Sequence, residues 1–156
     1  MYKRQLAKQL EEHTITRRYH ALCFGRLKEE SGTISAPIGR DEKDRKRQAI
    51  NYKHGKEAVT HYKLLESFED ASLVECRLET GRTHQIRVHM KSIGHPLIGD
   101  PVYGLKKCPY SIQGQALHAM VLGFIHPKSG EYMEFSADYP DDFLKVLTSL
   151  RNKSRK

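Results

Sequence analysis

With 156 residues, of which 38% are hydrophobic and 29% charged, the chain is long enough for one domain with a core and too apolar for an intrinsically disordered protein. Its 27 Lys and Arg against 19 Asp and Glu give a formal charge of +8, which favours a polyanionic partner. Three cysteines without a CxxC pair argue against a disulfide framework and a zinc site. Because there is no membrane-length apolar run and no secretory signal pattern, we expect a cytoplasmic protein.

The first part of the chain predicts a short helix followed by a strand. Leucines four residues apart in LAKQLEEH are typical of a helix. The following segment, TITRRYHALCFGRL, is rich in β-branched and aromatic residues and predicts a strand. Side-chain alternation along this strand places Arg17 and Tyr19 on one face and Arg18 on the other.

Two segments with weaker patterns come next. SGTISAPIG predicts a short extended piece that is interrupted by Gly and Pro. The charged run RDEKDRKRQ, residues 40–48, has no apolar periodicity, and we expect an exposed, mobile loop there. A loop that contacts phosphate groups is the alternative.

Two pairs of segments predict β-hairpins. VTHYKLLESF and ASLVECRLET form the first pair, with a turn near Glu69 and Asp70. ALHAMVLGFIHP and EYMEFSADYP form the second pair, with a turn at residues 128–130. Consecutive hairpins of this kind favour an antiparallel sheet.

Between the hairpins, RTHQIRVHMKSIG predicts a helix that begins at Thr83. Ile86, Met90 and Ile93 recur at the spacing of a buried helical stripe. Gly94 is placed to end the helix, and a loop dense in Gly and Pro, HPLIGDPVYG, follows it.

The C-terminal segment predicts a last helix with Asp141 and Asp142 in its first turn, where the helix dipole favours them. We expect residues 151–156 to be a basic, frayed tail. Hairpins interleaved with a few helices, without a βαβ rhythm or a repeat, favour one α+β domain over residues 1–156, with a largely antiparallel sheet flanked by helices.

The cations of the central helix allow two interpretations. Arg87 lies one step around the helix from the apolar stripe, so a partly desolvated guanidinium there needs a carboxylate or phosphate partner. Arg82 and His84 at the helix start suit a phosphate. Alternatively, these residues, together with His89 and Lys91, solvate a surface helix. Tyr19, likewise, either packs in the core or stacks on a base.

Long stretches of the chain resemble one known family, the RluA-like RNA pseudouridine synthases. The similarity covers nearly the whole chain and is most specific in LETGRTHQIRVHMKSIGHPLIGDPVYG, residues 78–104. The other matching stretches are RRYHAL at 17–22, KEAVTHYKLLE at 56–66 and ALHAMVLGFIHPKSGEYMEFSADYP at 116–140.

This resemblance implies an enzyme that isomerises uridine to pseudouridine in ribosomal or transfer RNA, without a metal or other cofactor, after flipping the target base out of its stack. It implies that Tyr19 is the active-site tyrosine that stacks on the base, that Arg87 pairs with the catalytic aspartate and that Ile86 lines the base pocket. The residues that the same motifs and charges suggest for RNA binding are Arg17, Arg18, Arg82, His84, Gln85 and Lys91.

The chain departs from the family pattern at the nucleophile. The family's aspartate lies in a His-Arg-Leu-Asp motif upstream of the tyrosine motif, and this sequence has no such stretch. We therefore expect an N-terminally truncated catalytic domain that is inactive alone and whose partner is the missing N-terminal part. The alternative is a non-catalytic RNA-binding module or pseudoenzyme. We prefer the hypothesis of a truncated synthase, because Arg87 would otherwise lack its anionic partner.

Overall fold

A computed structural model describes residues 2–12 and 15–154. In chain order its helices and strands are α1 Lys3–Glu11, β1 Thr16–Phe24, β2 Ser31–Ser35, β3 Ile38–Arg40, β4 Gln48–Ile50, β5 Val59–Ser67, β6 Ala71–Leu78, α2 Gln85–Ser92, β7 Leu117–Ile125, β8 Tyr132–Ser136 and α3 Asp141–Ser154. No helix in this described part of the chain is both long and apolar enough to cross a lipid bilayer.

The main sheet has six strands in the order β2-β5-β6-β1-β7-β8, and each neighbouring pair is antiparallel. Both predicted hairpins are present, as β5-β6 and β7-β8. The predicted α+β class with a largely antiparallel sheet and flanking helices is therefore confirmed.

The central strands bury both of their faces because a helix packs on each side of the sheet. Ala21 and Cys23 of β1 join one core cluster together with Ile86 and Met90 of α2. Leu22, between them in sequence, joins the opposite cluster with the buried residues of α3. We call these two sides the α2 face and the α3 face. Alternation along β1 therefore decides which side chains can reach the candidate site.

The charged run 40–48 begins and ends in strands rather than forming one long loop. β3 and β4 pair as a separate two-stranded sheet, in which Ile38 lies opposite Ile50. Residues 42–46 between them are exposed, as expected. Strands of three residues each are too short to produce a readable alternation, which is why the sequence did not reveal them.

Helix α2 is shorter than the sequence pattern predicted. It begins at Gln85 rather than Thr83, because His84 adopts a left-handed backbone conformation with φ 56°. Ile93 is 37% exposed, so the buried stripe stops at Met90. His89, which the solvated-surface reading placed in solvent, is fully buried.

The expected frayed tail is wrong for residues 151–154, since α3 continues to Ser154. The Arg151 guanidinium donates to both oxygens of Glu66, and Lys153 Nζ lies 3.0 Å from Asp70 Oδ2. These half-exposed pairs anchor the end of the helix to the β5-β6 hairpin. Residues 155–156 lie outside the described part of the chain.

Candidate active site

The loop before α2 is fixed by the buried amide of Gln85. Its Oε1 accepts hydrogen bonds from the Thr80 hydroxyl at 2.7 Å and from the Arg82 backbone N–H at 3.0 Å. Its Nε2 donates to the Val59 carbonyl at 3.0 Å and to Thr60 Oγ1 at 2.9 Å. With four partners, the amide is satisfied without solvent, so Gln85 attaches the Thr80–Arg82 loop to β5 rather than facing RNA.

His89 continues this buried hydrogen-bond chain. Its Nε2 lies 2.9 Å from the Ala36 carbonyl oxygen, which can only accept, so Nε2 carries the proton. Nδ1 then accepts from the Thr60 hydroxyl at 2.8 Å. Burial lowers the pKa of His89 below its ordinary value, so the ring is neutral at physiological pH. His89 therefore braces α2 against β5 and the segment before β3.

Arg87 has an anionic partner within the chain. Its Nε and Nη2 donate to Oδ2 and Oδ1 of Asp100 at 2.8 and 2.9 Å, a bidentate pair whose side chains are 9% and 0% exposed. The expectation that Arg87 lacks a partner in this chain is wrong. Asp100 lies in no His-Arg-Leu-Asp motif, and its position in the GDPVYG loop just after α2 is the sequence signal that could have identified it as the partner.

Asp100 also organises the loop that contains it. Its Oδ1 accepts the backbone N–H groups of Val102 and Tyr103, each at 3.0 Å. Burial alone would raise the pKa of the Asp100 carboxyl, but the hydrogen bonds from Arg87 and from these N–H groups hold the pKa below its usual value. The carboxylate is consequently ionised and fully engaged, which makes it a structural group here.

His84 is held by Tyr103 at the start of α2. The Tyr103 hydroxyl accepts from the Gln48 N–H at 2.9 Å and lies 2.7 Å from His84 Nδ1. Burial and the nearby charge of Arg87 lower the pKa of His84, so the imidazole is neutral. The Arg87 and Arg47 guanidinium groups lie 5.0 and 5.2 Å from the centroid of the Tyr103 ring. Tyr103 therefore links α2 to the β3-β4 sheet.

Tyr19 and Ile86 lie on the same side of the sheet. Ile86 is 4% exposed within the α2-face core, and the half-buried Tyr19 packs against that same cluster. Tyr19 pairs with Cys76 on one side and Ala119 on the other, and the register to β7 shifts between Arg18 and Tyr19. Such a bulge changes the direction of the strand next to the tyrosine.

A cavity of about 410 Å³ is lined by Arg17, two residues before Tyr19 on β1, and by Arg82, and we call it the Arg17–Arg82 cavity. Its lining residues are Leu10, Glu11, Arg17, Glu57, Glu79, Thr80, Gly81 and Arg82. Arg82 Nε donates to the Glu57 carbonyl at 2.7 Å. Arg17 Nε is buried and has no hydrogen-bond partner among the described residues. A side chain at Gly81 would meet the Arg17 guanidinium at 2.5 Å, so glycine permits this close approach.

The six residues predicted to bind RNA do not form one surface. Arg17 and Arg82 meet at the cavity, whereas His84 and Gln85 are held by protein groups. Arg18 points to the α3 face, where it lies opposite Arg77. Exposed Lys91 lies at the other end of α2, next to a cavity of about 190 Å³ that Tyr103 also lines.

The acidic groups around the Arg17–Arg82 cavity are all glutamates. Every aspartate of the sequence lies in the described part of the chain, and none of them lines this cavity. Among the same described residues, no cluster of three or more His, Cys, Asp or Glu is arranged to hold a metal ion.

Comparison with known proteins identifies the family. A family model described as RNA pseudouridylate synthase matches residues 1–92. The chain is 54% identical over 151 residues to an uncharacterized RNA pseudouridine synthase of Bacillus subtilis, covering 97% of this chain and 49% of that protein. It is 48% identical over 159 residues to ribosomal large subunit pseudouridine synthase D of Zymomonas mobilis, covering 94% and 50%. The chain belongs to the RNA pseudouridylate synthase family.

Solved structures agree with this assignment. Human RNA pseudouridylate synthase domain containing 1 superimposes with a TM-score of 0.73 at 27% identity, over 93% of this chain and 69% of that one. The human domain containing 4 protein has the same fold, with a TM-score of 0.75 at 22% identity, over 95% and 67%. The chain spans about half the length of the curated relatives described above.

Proposed function

We propose that this chain forms the base-stacking and arginine-bearing part of an RNA pseudouridine synthase active site. The observation that carries the proposal is that Tyr19, on the α2 face, lies two residues from Arg17 on the same strand, and that Arg17 and Arg82 share one cavity. The substrate is uridine in ribosomal or transfer RNA, as the resemblance and the names of the relatives suggest, and the protein acts in the cytoplasm. No cofactor is required.

Tyr19 stacks on the flipped base in this proposal. An aromatic ring that is half-buried on its sheet presents one face to a ligand at little entropic cost, and base–aromatic stacking is worth about 1–3 kcal/mol per base. Ile86 belongs to the apolar core cluster against which Tyr19 packs. Because Ile86 is only 4% exposed, direct contact with the base needs local opening of the core.

The arginine that faces the reacting aspartate is Arg82 in this proposal, rather than Arg87. Arg87 uses Nε and Nη2 for Asp100, so a second carboxylate would have to compete with a buried bidentate pair. Arg82 uses only its Nε, for a backbone carbonyl, which leaves the other guanidinium N–H groups for a ligand. Arg17 also lines this cavity and brings a second guanidinium group to it.

The aspartate comes from a segment outside this chain, and the 156 residues alone do not convert uridine. The support for this is chemical: no described aspartate lines the cavity, and Asp100 is committed to Arg87 and two backbone amides. The curated relatives are about twice as long, which leaves room for such a segment.

Pseudouridine mapping tests this proposal. We expect no pseudouridine in ribosomal or transfer RNA incubated with the 156-residue chain, and site-specific conversion when the chain is joined to the half of the Bacillus subtilis relative that it does not match. Conversion by the chain alone would contradict the proposal, as would a joined protein that binds RNA without converting any uridine.

A non-catalytic RNA-binding module is a second candidate, and one observation favours it. Asp100, within this chain, is already the anionic partner of Arg87. The hypothesis of a truncated catalytic domain required that partner to come from a segment outside the chain. The two candidates differ in the effect of Tyr19→Phe in the joined protein. A synthase that uses the hydroxyl in proton transfer loses turnover, whereas a binding module has no turnover to lose and keeps its RNA affinity.

A further inference from the structure

Four apolar side chains form an uncovered patch on the α2 face, next to the candidate site. Leu122 lies opposite Phe135 and Phe124 lies opposite Met133 in the β7-β8 pairing, so the four are adjacent. The rings of Phe124 and Phe135 stack with centroids 6.0 Å apart. We call this set the β7-β8 patch. Leu122 and Phe135 are 45% and 52% exposed. Adjacent exposed apolar groups of this kind mark interaction sites in monomeric proteins.

The patch is continuous with the Arg17–Arg82 cavity. Leu122 is also the cross-strand partner of Arg17 in the β1-β7 pairing, and partners in register project from the same face. Arg17 in turn lines the cavity. A polypeptide lying on the β7-β8 patch would therefore pass directly beside the two candidate arginines.

Helix α1, which contacts strand β7, buries none of its side chains. It makes contacts with β7 through Gln9, whose Nε2 donates to the Ile125 carbonyl at 2.6 Å and whose Oε1 accepts from the Ile125 N–H at 2.8 Å. No side chain of α1 is buried, and Leu10 is 42% exposed. A nine-residue helix without a buried face is only marginally stable in water, so its stability depends on a partner that covers it.

We propose that the β7-β8 patch and α1 together dock a polypeptide segment that corresponds to the half of the curated relatives without a counterpart in this chain. This inference rests on the proposed function. The occupant follows from the comparison, in which alignment covers 97% of this chain but only 49% of the Bacillus subtilis protein. It also follows from position, because a segment on the patch reaches the cavity that lacks an aspartate.

Co-expression tests the docking surface without relying on catalysis. The affinity-tagged 156-residue chain is produced together with the unmatched half of the Bacillus subtilis relative, and the yield and stoichiometry of co-purification are measured. We expect a one-to-one complex. The double substitution Leu122→Glu and Phe135→Glu should reduce co-purification at least about tenfold, since it places charge at the centre of the interface.

The matched control is the double substitution Leu65→Glu and Leu144→Glu. These leucines are 41% and 44% exposed, on the β5 side of the sheet and on α3, and should leave co-purification unchanged. Because the four replaced side chains are already about half-exposed, both variants should unfold as cooperatively as the parent chain. Thermal unfolding of each variant verifies this.

The outcomes separate the two proposals. Absence of a complex, or equal loss in the patch and control variants, overturns the docking surface. So does a stable dimer of the chain alone that the patch substitutions dissociate, since a second copy would then occupy the patch. A complex that depends on the patch but converts no uridine supports the docking surface and contradicts the proposed synthase function.

Discussion

The polar residues of the THQIRVH stretch are mostly satisfied inside the protein. Gln85 makes four hydrogen bonds, Arg87 pairs with Asp100, and His89 lies between a threonine hydroxyl and a backbone carbonyl. Unpaired groups of this kind would each cost about 1–3 kcal/mol in the core, which explains why their partners are so complete. The THQIRVH stretch therefore positions the site, while Arg82 just before it keeps guanidinium N–H groups available for a ligand.

Removing the Asp100 carboxylate should strongly destabilise the fold. Asp100→Ala leaves the Arg87 guanidinium buried and unpaired, so we expect the free energy of unfolding to fall by about 3–5 kcal/mol. Urea denaturation followed by circular dichroism measures this. The control is Asp70→Ala, which breaks a half-exposed pair with Lys153 and long hydrogen bonds from the Tyr110 hydroxyl and should cost about 1 kcal/mol or less. Equal losses in the two variants would show that the Arg87 pair is not a buried ion pair in solution.

The neutral histidines predict how stability depends on pH. Burial lowers the pKa of His84 and His89 in the folded state, so the unfolded chain binds more protons as pH falls. Their contribution to stability is thus complete above the ordinary histidine pKa of about 6.5 and is lost as pH falls towards the folded pKa. We expect the free energy of unfolding to decrease as the pH falls from about 7.5 to about 5.5. Urea denaturation repeated at intervals of about 0.5 pH unit measures this decrease.

The substitution His89→Gln provides the control for that titration. Glutamine keeps a donor and an acceptor but does not titrate, so the decrease between neutral and mildly acidic pH should become shallower than in the parent chain. An unchanged slope would assign the pH dependence to other groups.

At the scale of elements, the hairpins and α3 were predictable because alternation, turn residues and acidic residues in the first helical turn all act locally. The start of α2 was not predictable, since Thr83 continues a helical pattern that His84 interrupts. His84 lies there in contact with the Tyr103 hydroxyl, nineteen residues later, and no local pattern predicts this contact. The β3-β4 sheet was missed because its strands have three residues each.

The loop between β3 and β4 provides an element-scale prediction for RNA binding. Lys43, Arg45 and Lys46 are exposed and belong to the charged run for which phosphate contact was the alternative reading. Replacing all three with Ser should weaken RNA binding and reduce the slope of log K against log salt by up to about 2–3, because each phosphate contact contributes about 0.7–0.9. Filter binding over a range of salt concentrations measures both quantities.

An equal change of charge elsewhere provides the control for that experiment. The triple substitution of Lys106, Lys107 and Lys128 with Ser removes the same charge from exposed positions in other loops. If both triple variants lower the slope equally, the effect comes from the net charge of +8 and not from the β3-β4 loop.

At the scale of the whole molecule, the sheet divides the cations of the RRYHAL stretch between two surfaces. Arg17 reaches the cavity on the α2 face, and Arg18 lies opposite Arg77 on the α3 face. Only one side of the sheet thus carries Tyr19 and the arginines of the candidate site. The other side carries α3 and the hydrogen bonds of His20 to Tyr139 and Glu75.

Replacement of Arg82 and of Arg87 by lysine should affect different properties of the joined protein, catalysis for Arg82 and stability for Arg87. Arg82→Lys should lower kcat/KM by about tenfold or more with little loss of stability, because lysine cannot reproduce a planar guanidinium contact. Arg87→Lys should mainly lower the free energy of unfolding, since it weakens the bidentate pair with Asp100. Turnover and urea denaturation of both variants test this, and the reverse pattern would restore Arg87 as the arginine of the reaction.

Local patterns in the amino-acid sequence predict the hairpins and the α+β class, and its motifs indicate the family. These features depend on local periodicity and on contiguous residues, which can be read along the chain. Three features could be found only in the folded chain: Asp100 neutralises Arg87, Arg17 and Arg82 share a cavity, and Leu122 and Phe135 of the β7-β8 patch are exposed. Each of these depends on how connecting loops bring distant residues together. A sequence pattern can show that a buried arginine needs a carboxylate, but the fold determines which carboxylate lies within hydrogen-bonding distance, here that of Asp100.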